Sequence, residues 1–453
     1  AWAVLGMVVF AAIGWRQILA PDAAGPLLAP TGIFAALAVS AVCGVAAAFY
    51  PRFAALPERT RRRAALIASL VVDLGVLGFF KYFNFFVGSF EQLLNSLGFE
   101  ASHWHLDVVL PVGVSFYTFQ AMSYTIDVYR GHLRATPSLA DFALFVSFFP
   151  QLVAGPIERA THLLPALVRE RSVRLDQSLR GLHLILLGLF KKVVVADNLA
   201  VLADQVFASP LEYSGAAVSL ATTAFWLQIY CDFSGYSTMA QGLALLLGFS
   251  LPRNFDYPQL RHNPILYRRS WHITMGNWFT DYVYKPLGGS RVGDARFAFN
   301  IMVTWTLLGL WHGASWNFVL WGAYNGLILA VYSVVMRRKR FALPAFPGKL
   351  FLGWGINVFL LLFSAMLFRV SSAEQAWLMI RKIFTWESGL GVPVEWAFLI
   401  AGLAGVHALC FWHYKEDLLQ RLGWPGRIAL VSGTVLAIAI FAATSRPFIY
   451  FQF

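Results

Sequence analysis

The sequence predicts an all-α, polytopic membrane protein of about ten to twelve transmembrane helices, with re-entrant and interfacial helices between them. Of its 453 residues, 58% are hydrophobic and 13% are charged, whereas a soluble globular protein carries about 25% charged residues. Apolar runs of roughly 20 residues, enough to cross a bilayer as a helix, recur along the chain. The alternation expected of outer-membrane barrel strands is absent. We expect residues 1–453 to form one membrane domain.

The net charge and the positions of the cysteines limit the partners and the kinds of site that fit this sequence. The formal net charge is +12, and the basic residues cluster in short loops between apolar runs. This pattern is typical of cytoplasmic loops beside anionic lipid headgroups, so we expect lipids and not nucleic acid as partners. Cys43, Cys231 and Cys410 lie far apart in apolar runs. They indicate neither a disulfide framework nor a metal site, and we expect no metal.

The N-terminal part begins with two predicted spans, residues 1–20 and 31–50. Trp15 and its neighbours offer no small-residue cleavage site, so we interpret the first run as a retained helix and not as a signal peptide. Residues 58–63 form the strongest basic cluster and are predicted to be cytoplasmic. A third span runs from 64 to about 87. The polar residues 91–107, with His103 and His105, are predicted to lie on the opposite side.

The next region alternates apolar and charged segments. Pro and Gly at positions 111–113 predict a broken or re-entrant start to the following apolar run, and residues 139–155 form a further apolar element. The charge-rich residues 157–180 predict an amphipathic cytoplasmic segment. Residues 182–195 return to the membrane, and we expect Lys191 and Lys192 to extend toward an interface.

Residues 216–230 and 237–251 are predicted as two helices flanking Cys231–Tyr236. From 252 to 296, prolines, arginines and aromatic residues alternate and no apolar run is long enough to cross, so we expect short interfacial helices and re-entrant loops on the cytoplasmic side. Beyond a basic cluster at 337–340, three more spans are predicted, at about 349–370, 394–413 and 427–443.

The stretch Trp305–Trp316 contains His312, and no lysine, arginine or carboxylate lies between Arg296 and Arg337. An ionisable side chain at membrane depth is costly and is by default a functional-site hypothesis. In a helix, Trp305, Gly309, His312 and Trp316 would share one face. We expect a cavity beside His312 that opens to the cytoplasm. The alternative is a structural histidine that hydrogen-bonds a neighbouring helix.

Five polar motifs interrupt the apolar chain: Pro111–Gln120, Gln151–Glu158, Asp232–Ala240, Arg268–Gly289 and Leu310–Trp316. Together they resemble the membrane-bound O-acyltransferase family. The branch is the bacterial one that O-acetylates alginate and related exopolysaccharides, with the D-alanyl transfer protein of teichoic acid as a cousin. The resemblance covers nearly the whole chain and includes the ending Phe448–Phe453.

The resemblance implies which residues carry the chemistry. His312 would be the base that takes the proton of an acceptor hydroxyl. His272 would orient the donor thioester or polarise its carbonyl, or alternatively bond a backbone carbonyl. The donor would be acetyl-CoA, with no cofactor bound permanently. Its phosphates could meet Arg268, Arg269, Lys285 and Arg291, which otherwise are ordinary cytoplasmic charges.

Two carboxylates and four aromatic residues complete the candidate site. Asp232 and Asp281 are expected to be buried, Asp232 as a structural helix partner and Asp281 paired with an arginine. The aromatic residues are expected to line or pack the cavity, and they are Tyr236, Trp305, Trp311 and Trp316.

The implied function is acyl transfer from a cytosolic thioester to an extracytoplasmic hydroxyl, across a bacterial inner membrane. The acceptor would be the polysaccharide or a partner acetyltransferase of the SGNH type. Three departures from the family pattern concern the donor and acceptor: Thr238 in place of an aspartate, Ser270 before Trp271, and residues 251–264. D-alanyl transfer to teichoic acid remains an alternative. A transporter of lipid-linked saccharide is another, although the helix breaks do not fall at matching positions in two halves.

Overall fold

The structure is a computed structural model that describes residues 48–100, 105–106, 111, 113–152, 154–338, 348–411, 422–442, 446 and 448–449. Its regular elements are α-helices with short π and 3₁₀ turns, which confirms the predicted all-α class. Several predicted features lie outside the described residues: the span 1–20, most of 31–50, Cys43, His103, Lys339, Arg340 and the last four residues.

The chain divides into two compact units, one of residues 1–153 and 158–170 and the other of residues 154–157 and 171–453. That residues 1–453 form one membrane domain stays a prediction. The helices of the first unit are α1 (Glu58–Ser96, with a π turn at Gly78–Tyr82), α2 (Val114–Arg130), α3 (Leu139–Val146) and α4 (Ala160–Val168).

In the first unit, α1 packs against α2 and α3 packs against α4. The hydroxyl groups of Ser69 and Thr125 share a hydrogen bond of 3.1 Å between α1 and α2. Phe145 and Leu163 are almost completely buried between α3 and α4. Helix α2 begins after Gly113, which adopts a left-handed φ of 78°. The chain therefore turns where the Pro-Gly motif predicts a break.

Helix α1 is longer than the predicted third span, because it continues through the π turn to Ser96. Its 39 residues make about 58 Å of helix, nearly twice the thickness of a bilayer core of about 30 Å. The basic cluster Arg59–Arg63 occupies its first turns, where the predicted cytoplasmic face would be.

The orientation of α1 can be tested by cysteine labelling. In a variant without native cysteines, Arg59→Cys should react with a membrane-impermeant maleimide only after the cytoplasmic face is exposed, because basic residues stay on that side. Asn95→Cys, at the other end of α1, is the matched control and should react in intact cells. Labelling of Arg59→Cys from outside would reverse the topology.

The helices of the second unit are α5 (Leu175–Leu189), α6 (Asp197–Ala208), α7 (Gly215–Leu246), α8 (Pro264–Ser270), α9 (Ile273–Phe279), α10 (Asp294–His312), α11 (Trp316–Arg337), α12 (Lys349–Arg369), α13 (Ala373–Thr385), α14 (Glu395–Leu409) and α15 (Trp424–Phe441). A π turn at Phe190–Ala196 joins α5 to α6. The predicted spans near 349–370, 394–413 and 427–443 correspond to α12, α14 and α15.

Helix α7 corrects one prediction. The expected pair of helices around Cys231–Tyr236 is a single helix of 32 residues. The polar motif does not interrupt it. Thr238, two residues after the motif, donates its Oγ1 hydrogen to the Ser234 carbonyl within the helix (2.6 Å). Gly235 lets α7 contact α5, because a Cβ there would lie 2.8 Å from the Gly188 carbonyl oxygen. The motif is therefore a packing surface, not a loop.

The segment 252–296 contains only short elements, as predicted: a 3₁₀ turn at Pro258–Leu260, helices α8 and α9, and a π turn at Thr280–Tyr284. Their interfacial or re-entrant position stays a prediction. Helix α10 begins at Asp294.

Among the described residues, four helices are long and apolar enough to span a membrane: α1, α11, α12 and α15. Helix α14 is apolar but shorter. The chain is therefore membrane-embedded and polytopic. A total of about ten to twelve spans stays a prediction, and it includes the two that lie before the described residues.

Candidate active site

Helices α10 and α11 form a hairpin that positions His312. The backbones touch at Gly309 and Gly322, where a Cβ on Gly309 would lie 2.2 Å from the Phe318 carbonyl oxygen and 2.8 Å from the Gly322 Cα. Only glycine allows this approach. Helix α10 ends at His312, and Gly313 is extended.

This break corrects the prediction that Trp305, Gly309, His312 and Trp316 share one helical face. Trp316 instead begins α11, and it is 58% exposed. A Cβ on Gly313 would lie 2.1 Å from the Phe318 ring. The chain therefore turns at Gly313 and leaves His312 at the last position of its helix.

The His312 side chain is buried, with 7% of the residue exposed. Two aromatic rings from neighbouring helices contact it edge to face: Trp321 of α11 at 5.1 Å and Phe368 of α12 at 5.5 Å between ring centroids. Trp311 lies on its other side at 5.0 Å. These contacts hold the imidazole in an aromatic pocket.

His272 is held in an unusual backbone conformation between α8 and α9. Its φ is 42°, a left-handed value that costs a non-glycine residue about 1–3 kcal/mol and that often occurs at functional sites. The residue is 2% exposed, with the Phe233 ring at 4.6 Å and the Trp311 ring at 6.2 Å. Burial lowers the pKa of His272 to about 3, so the imidazole is neutral at physiological pH.

Asn254 holds this strained turn in place. Its carbonyl oxygen accepts from the Ile273 N–H (2.9 Å), and its side-chain oxygen accepts from Thr274 Oγ1 (2.6 Å). Its amide nitrogen donates to Ser237 Oγ on α7 (3.2 Å). Asn254 is 1% exposed. The sequence analysis missed it, because it lies in the segment 251–264, which matches no family motif.

Both histidines line one small cavity, here called the histidine cavity, of about 80 Å³. That volume holds a few water molecules or a small acyl group, but not a whole thioester donor. Its walls come from α7 to α12 of the second unit and are mostly apolar. The lining residues used below are Arg268, His272, Thr304, Trp305, His312, Trp321, Asn325, Ser364 and Phe368.

The cavity also has a polar pair that the sequence analysis missed. Asn325 Nδ2 of α11 donates to Ser364 Oγ of α12 (2.9 Å) and to the Trp321 carbonyl (2.8 Å). Both side chains line the histidine cavity. Asn325 and Ser364 each lie in the middle of an apolar run, and this pattern in the sequence could have been used to predict the pair. Thr304 is satisfied within α10 by the Asn300 carbonyl (2.6 Å).

Of the four cations predicted to meet donor phosphates, only Arg268 lines the cavity. Its guanidinium donates to the Gly276 carbonyl (3.2 Å) and to Thr280 Oγ1. Arg269 and Arg291 are exposed and are not among the lining residues. Lys285 forms an exposed ion pair with Asp281 (2.7 Å). A role for these three in donor binding stays a prediction.

One of the two candidate carboxylates, Asp281, differs from what was predicted. Asp281 was expected to be buried, but 39% of its side chain is exposed where it pairs with Lys285. Its position in a single helical turn leaves it at the surface. Asp232 is buried as expected, at 2% exposed. It lies outside the lining of the histidine cavity and contacts a neighbouring helix.

Asp232 joins three parts of the second unit. Lys192 Nζ lies 2.8 Å from Asp232 Oδ1 and 2.7 Å from Asp197 Oδ1. The Ile449 N–H donates to Asp232 Oδ2 (2.7 Å), and so Asp232 holds the segment after α15 against α7. The expectation that Lys192 extends to an interface is therefore wrong, because the two carboxylates pair with it inside the unit.

We expect Asp232→Asn to lower the free energy of unfolding by about 1–2 kcal/mol, since it weakens two buried charge-assisted contacts. Asp176→Asn, which breaks an exposed pair with Arg174, is the matched control and should change stability little. Thermal unfolding of the purified variants would measure both. A raised KM for the donor with unchanged stability would instead assign Asp232 to donor binding.

The aromatic candidates divide into two groups. Trp305 lines the histidine cavity, and Trp311 packs between the two histidines. Tyr236 lies away from the cavity and stacks on Phe448 at 5.0 Å, beside the anchored Ile449. Trp316 lies at the surface. The expectation that these residues line or pack the cavity therefore holds for Trp305 and Trp311 and is wrong for Tyr236 and Trp316.

Comparison with known proteins shows which protein family the chain resembles. A model of the membrane-bound O-acyltransferase (MBOAT) family matches residues 128–373, which include the whole lining of the histidine cavity.

Among curated proteins, the probable alginate O-acetylase AlgI of Pseudomonas aeruginosa is 40% identical over 337 residues, 72% of this chain and 62% of the relative. The peptidoglycan O-acetyltransferase of Helicobacter pylori is 34% identical over 344 residues, 70% of this chain and 63% of the relative. The teichoic acid D-alanyltransferase of Streptococcus thermophilus is 25% identical over 246 residues, 51% of this chain and 58% of the relative. The chain thus matches about three fifths of the length of these relatives.

Proposed function

The chain belongs to the membrane-bound O-acyltransferase family, and from this premise we propose that it moves an acetyl group from a cytosolic thioester to an extracytoplasmic hydroxyl. The observation that carries the proposal is the pairing of two buried histidines at one small, mostly apolar cavity, His312 at the end of α10 and His272 in a strained turn. Histidine is the side chain that most often serves as a general acid or base, and a site that excludes bulk water strengthens electrostatic interactions and limits side reactions.

In the proposed reaction, His312 accepts the proton of the acceptor hydroxyl as its oxygen attacks the thioester carbonyl carbon. A C–O bond forms, the C–S bond breaks, and the protonated His312 returns the proton to the leaving thiolate. His272, which is neutral, donates an N–H to the carbonyl oxygen and stabilises its developing negative charge. The cavity of about 80 Å³ is large enough for an acetyl group.

The proposed donor is acetyl-CoA, from the cytoplasmic face of the bacterial inner membrane. Arg268 supports this assignment, because its guanidinium lines the histidine cavity and offers a charge for an anionic donor. Arg269, Lys285 and Arg291 belong to the same non-spanning segment 252–296 and would meet the more distant phosphates.

The proposed product is an O-acetylated exopolysaccharide, alginate or a related polymer. The probable alginate O-acetylase AlgI supports this product by name, and the peptidoglycan O-acetyltransferase supports O-acetyl transfer in a relative that acts on a different polymer. The acetyl group would reach the polymer directly or through an extracytoplasmic SGNH-type acetyltransferase as partner. The D-alanyltransferase relative is more distant, at 25% identity, and D-alanyl transfer is therefore the second candidate.

A competition between donors tests this function. Membranes containing the protein receive either labelled acetyl-CoA or a labelled D-alanyl thioester of a carrier protein, and label on polysaccharide is measured. We expect label from acetyl-CoA and none above the His312→Gln background from the D-alanyl donor. The reverse result would assign D-alanyl transfer. Passage of intact saccharide without any covalent label would identify a transporter.

A further inference from the structure

A second and larger cavity lies on the other side of α7 from the histidine cavity, and we call it the lysine cavity. Its volume is about 550 Å³, within the range of about 300–1,000 Å³ typical of ligand sites. Aromatic residues separate the two cavities. Tyr230 and Phe255 line the lysine cavity, and Trp271 lines the histidine cavity. The ring centroids of Phe255 and Trp271 are 5.1 Å apart.

The lysine cavity holds more positive than negative charge. Lys191 lines it from the π turn after α5, and its Nζ hydrogen-bonds to Thr238 Oγ1 of α7 (3.3 Å). In the described part of the chain, the structure gives Lys191 no carboxylate partner. The other charged lining residues are Arg180, Arg253 and Asp256, and Asp256 pairs with Arg261. The cavity therefore favours an anion close to Lys191.

The remainder of the lining mixes aliphatic, aromatic and polar uncharged side chains, and it reaches the outer surface of α14. Val406 lines the cavity and is 60% exposed, next to other exposed apolar residues of α14. In a membrane-embedded protein such a surface faces lipid chains, so the cavity is open to the bilayer. The aliphatic lining residues include Leu184, Leu187, Leu227, Leu245, Leu403 and Val406.

We propose that the lysine cavity binds one anionic membrane lipid, with the phosphate at Lys191 and an acyl chain along the leucines between α5, α7 and α14. This site is separate from the acyl-transfer site and does not depend on the proposed reaction. A negative charge beside Lys191 offsets the cost of holding a cation inside the bilayer. An apolar chain fills the part of the cavity that a small water-soluble anion would leave empty.

The test compares two substitutions of almost equal size. Thr238→Asp places a carboxylate beside Lys191, and this carboxylate should replace the lipid phosphate as the partner of Lys191. Thr238→Asn is the uncharged control. Purified variants in phosphatidylcholine nanodiscs with a minor fraction of phosphatidylglycerol are examined by native mass spectrometry. We expect one retained phosphatidylglycerol in the wild type and in Thr238→Asn, and about tenfold weaker retention in Thr238→Asp.

Lys191→Met should weaken retention to the same extent, while Arg174→Gln, which removes an exposed positive charge, should not. Equal retention by Thr238→Asp and Thr238→Asn would overturn the proposal even if Lys191→Met folds poorly. Displacement of phosphatidylglycerol from the wild type by added coenzyme A would also overturn it, because the site would then belong to a soluble anion.

Discussion

Replacing His312 with alanine or glutamine should lower acyl transfer by about two to four powers of ten, the usual contribution of a general base. Glutamine keeps a polar side chain of similar size between Trp321 and Phe368, but it cannot take the hydroxyl proton. Both variants should still insert and fold, since one histidine contributes little to the packing of the α10–α12 region. Initial rates of acetyl transfer by purified, stability-matched proteins measure the effect.

A structural histidine predicts the opposite pattern for the same two variants. Glutamine would then preserve much of the activity, and alanine would lower membrane yield or thermal stability. Transfer by His312→Gln at a rate near that of the wild type would show that His312 is not the base. The Asp232→Asn variant serves as a control here, because it should lose stability while its rate per folded molecule remains close to normal.

Gly309→Ala should be the most destabilising of the substitutions considered, by about 3 kcal/mol, near the upper end of the usual cost of overpacking. The new Cβ would lie 2.2 Å from the Phe318 carbonyl oxygen and 2.8 Å from the Gly322 Cα. Both are backbone atoms, so relief requires α10 and α11 to separate. Transfer should fall as well, because the hairpin places His312 against Trp321.

Gly355→Ala is the matched control, since a Cβ at that position in α12 meets nothing within 4 Å. Alanine favours the helix by about 1 kcal/mol over glycine, so this variant should be as stable as the wild type or slightly more. Thermal unfolding and the yield of monodisperse protein compare the two. If Gly309→Ala matches Gly355→Ala in both measurements, the close approach of the two helices is wrong.

Much of the fold could be predicted from local features of the sequence. Apolar length predicted α12, α14 and α15, and the mixed composition of residues 252–296 predicted the short helices α8 and α9. The isolation of His312 among apolar residues was sufficient to locate the cavity. The helix end after His312 was harder to predict, because it depends on the Phe318 ring that occupies the space beside Gly313.

The contacts that were not predicted join residues far apart in the chain. Lys192 lies inside because Asp197 and Asp232 meet it there, and no local pattern distinguishes that arrangement from a lysine at an interface. Asn254 holds the His272 turn through partners on two other elements. The composition of the motif Cys231–Tyr236 is typical of a helix break. Packing against α5 keeps the motif helical.

The most direct test of acyl transfer across the membrane uses sealed vesicles of known orientation with labelled acetyl-CoA on one face. Alginate and an SGNH-type acetyltransferase are enclosed on the other face. We predict that label becomes covalently bound to the enclosed acceptor only when acetyl-CoA is supplied on the face that carries Arg59–Arg63, and that His312→Gln abolishes it. Equal labelling from either face, or labelling that persists in His312→Gln vesicles, would contradict the account.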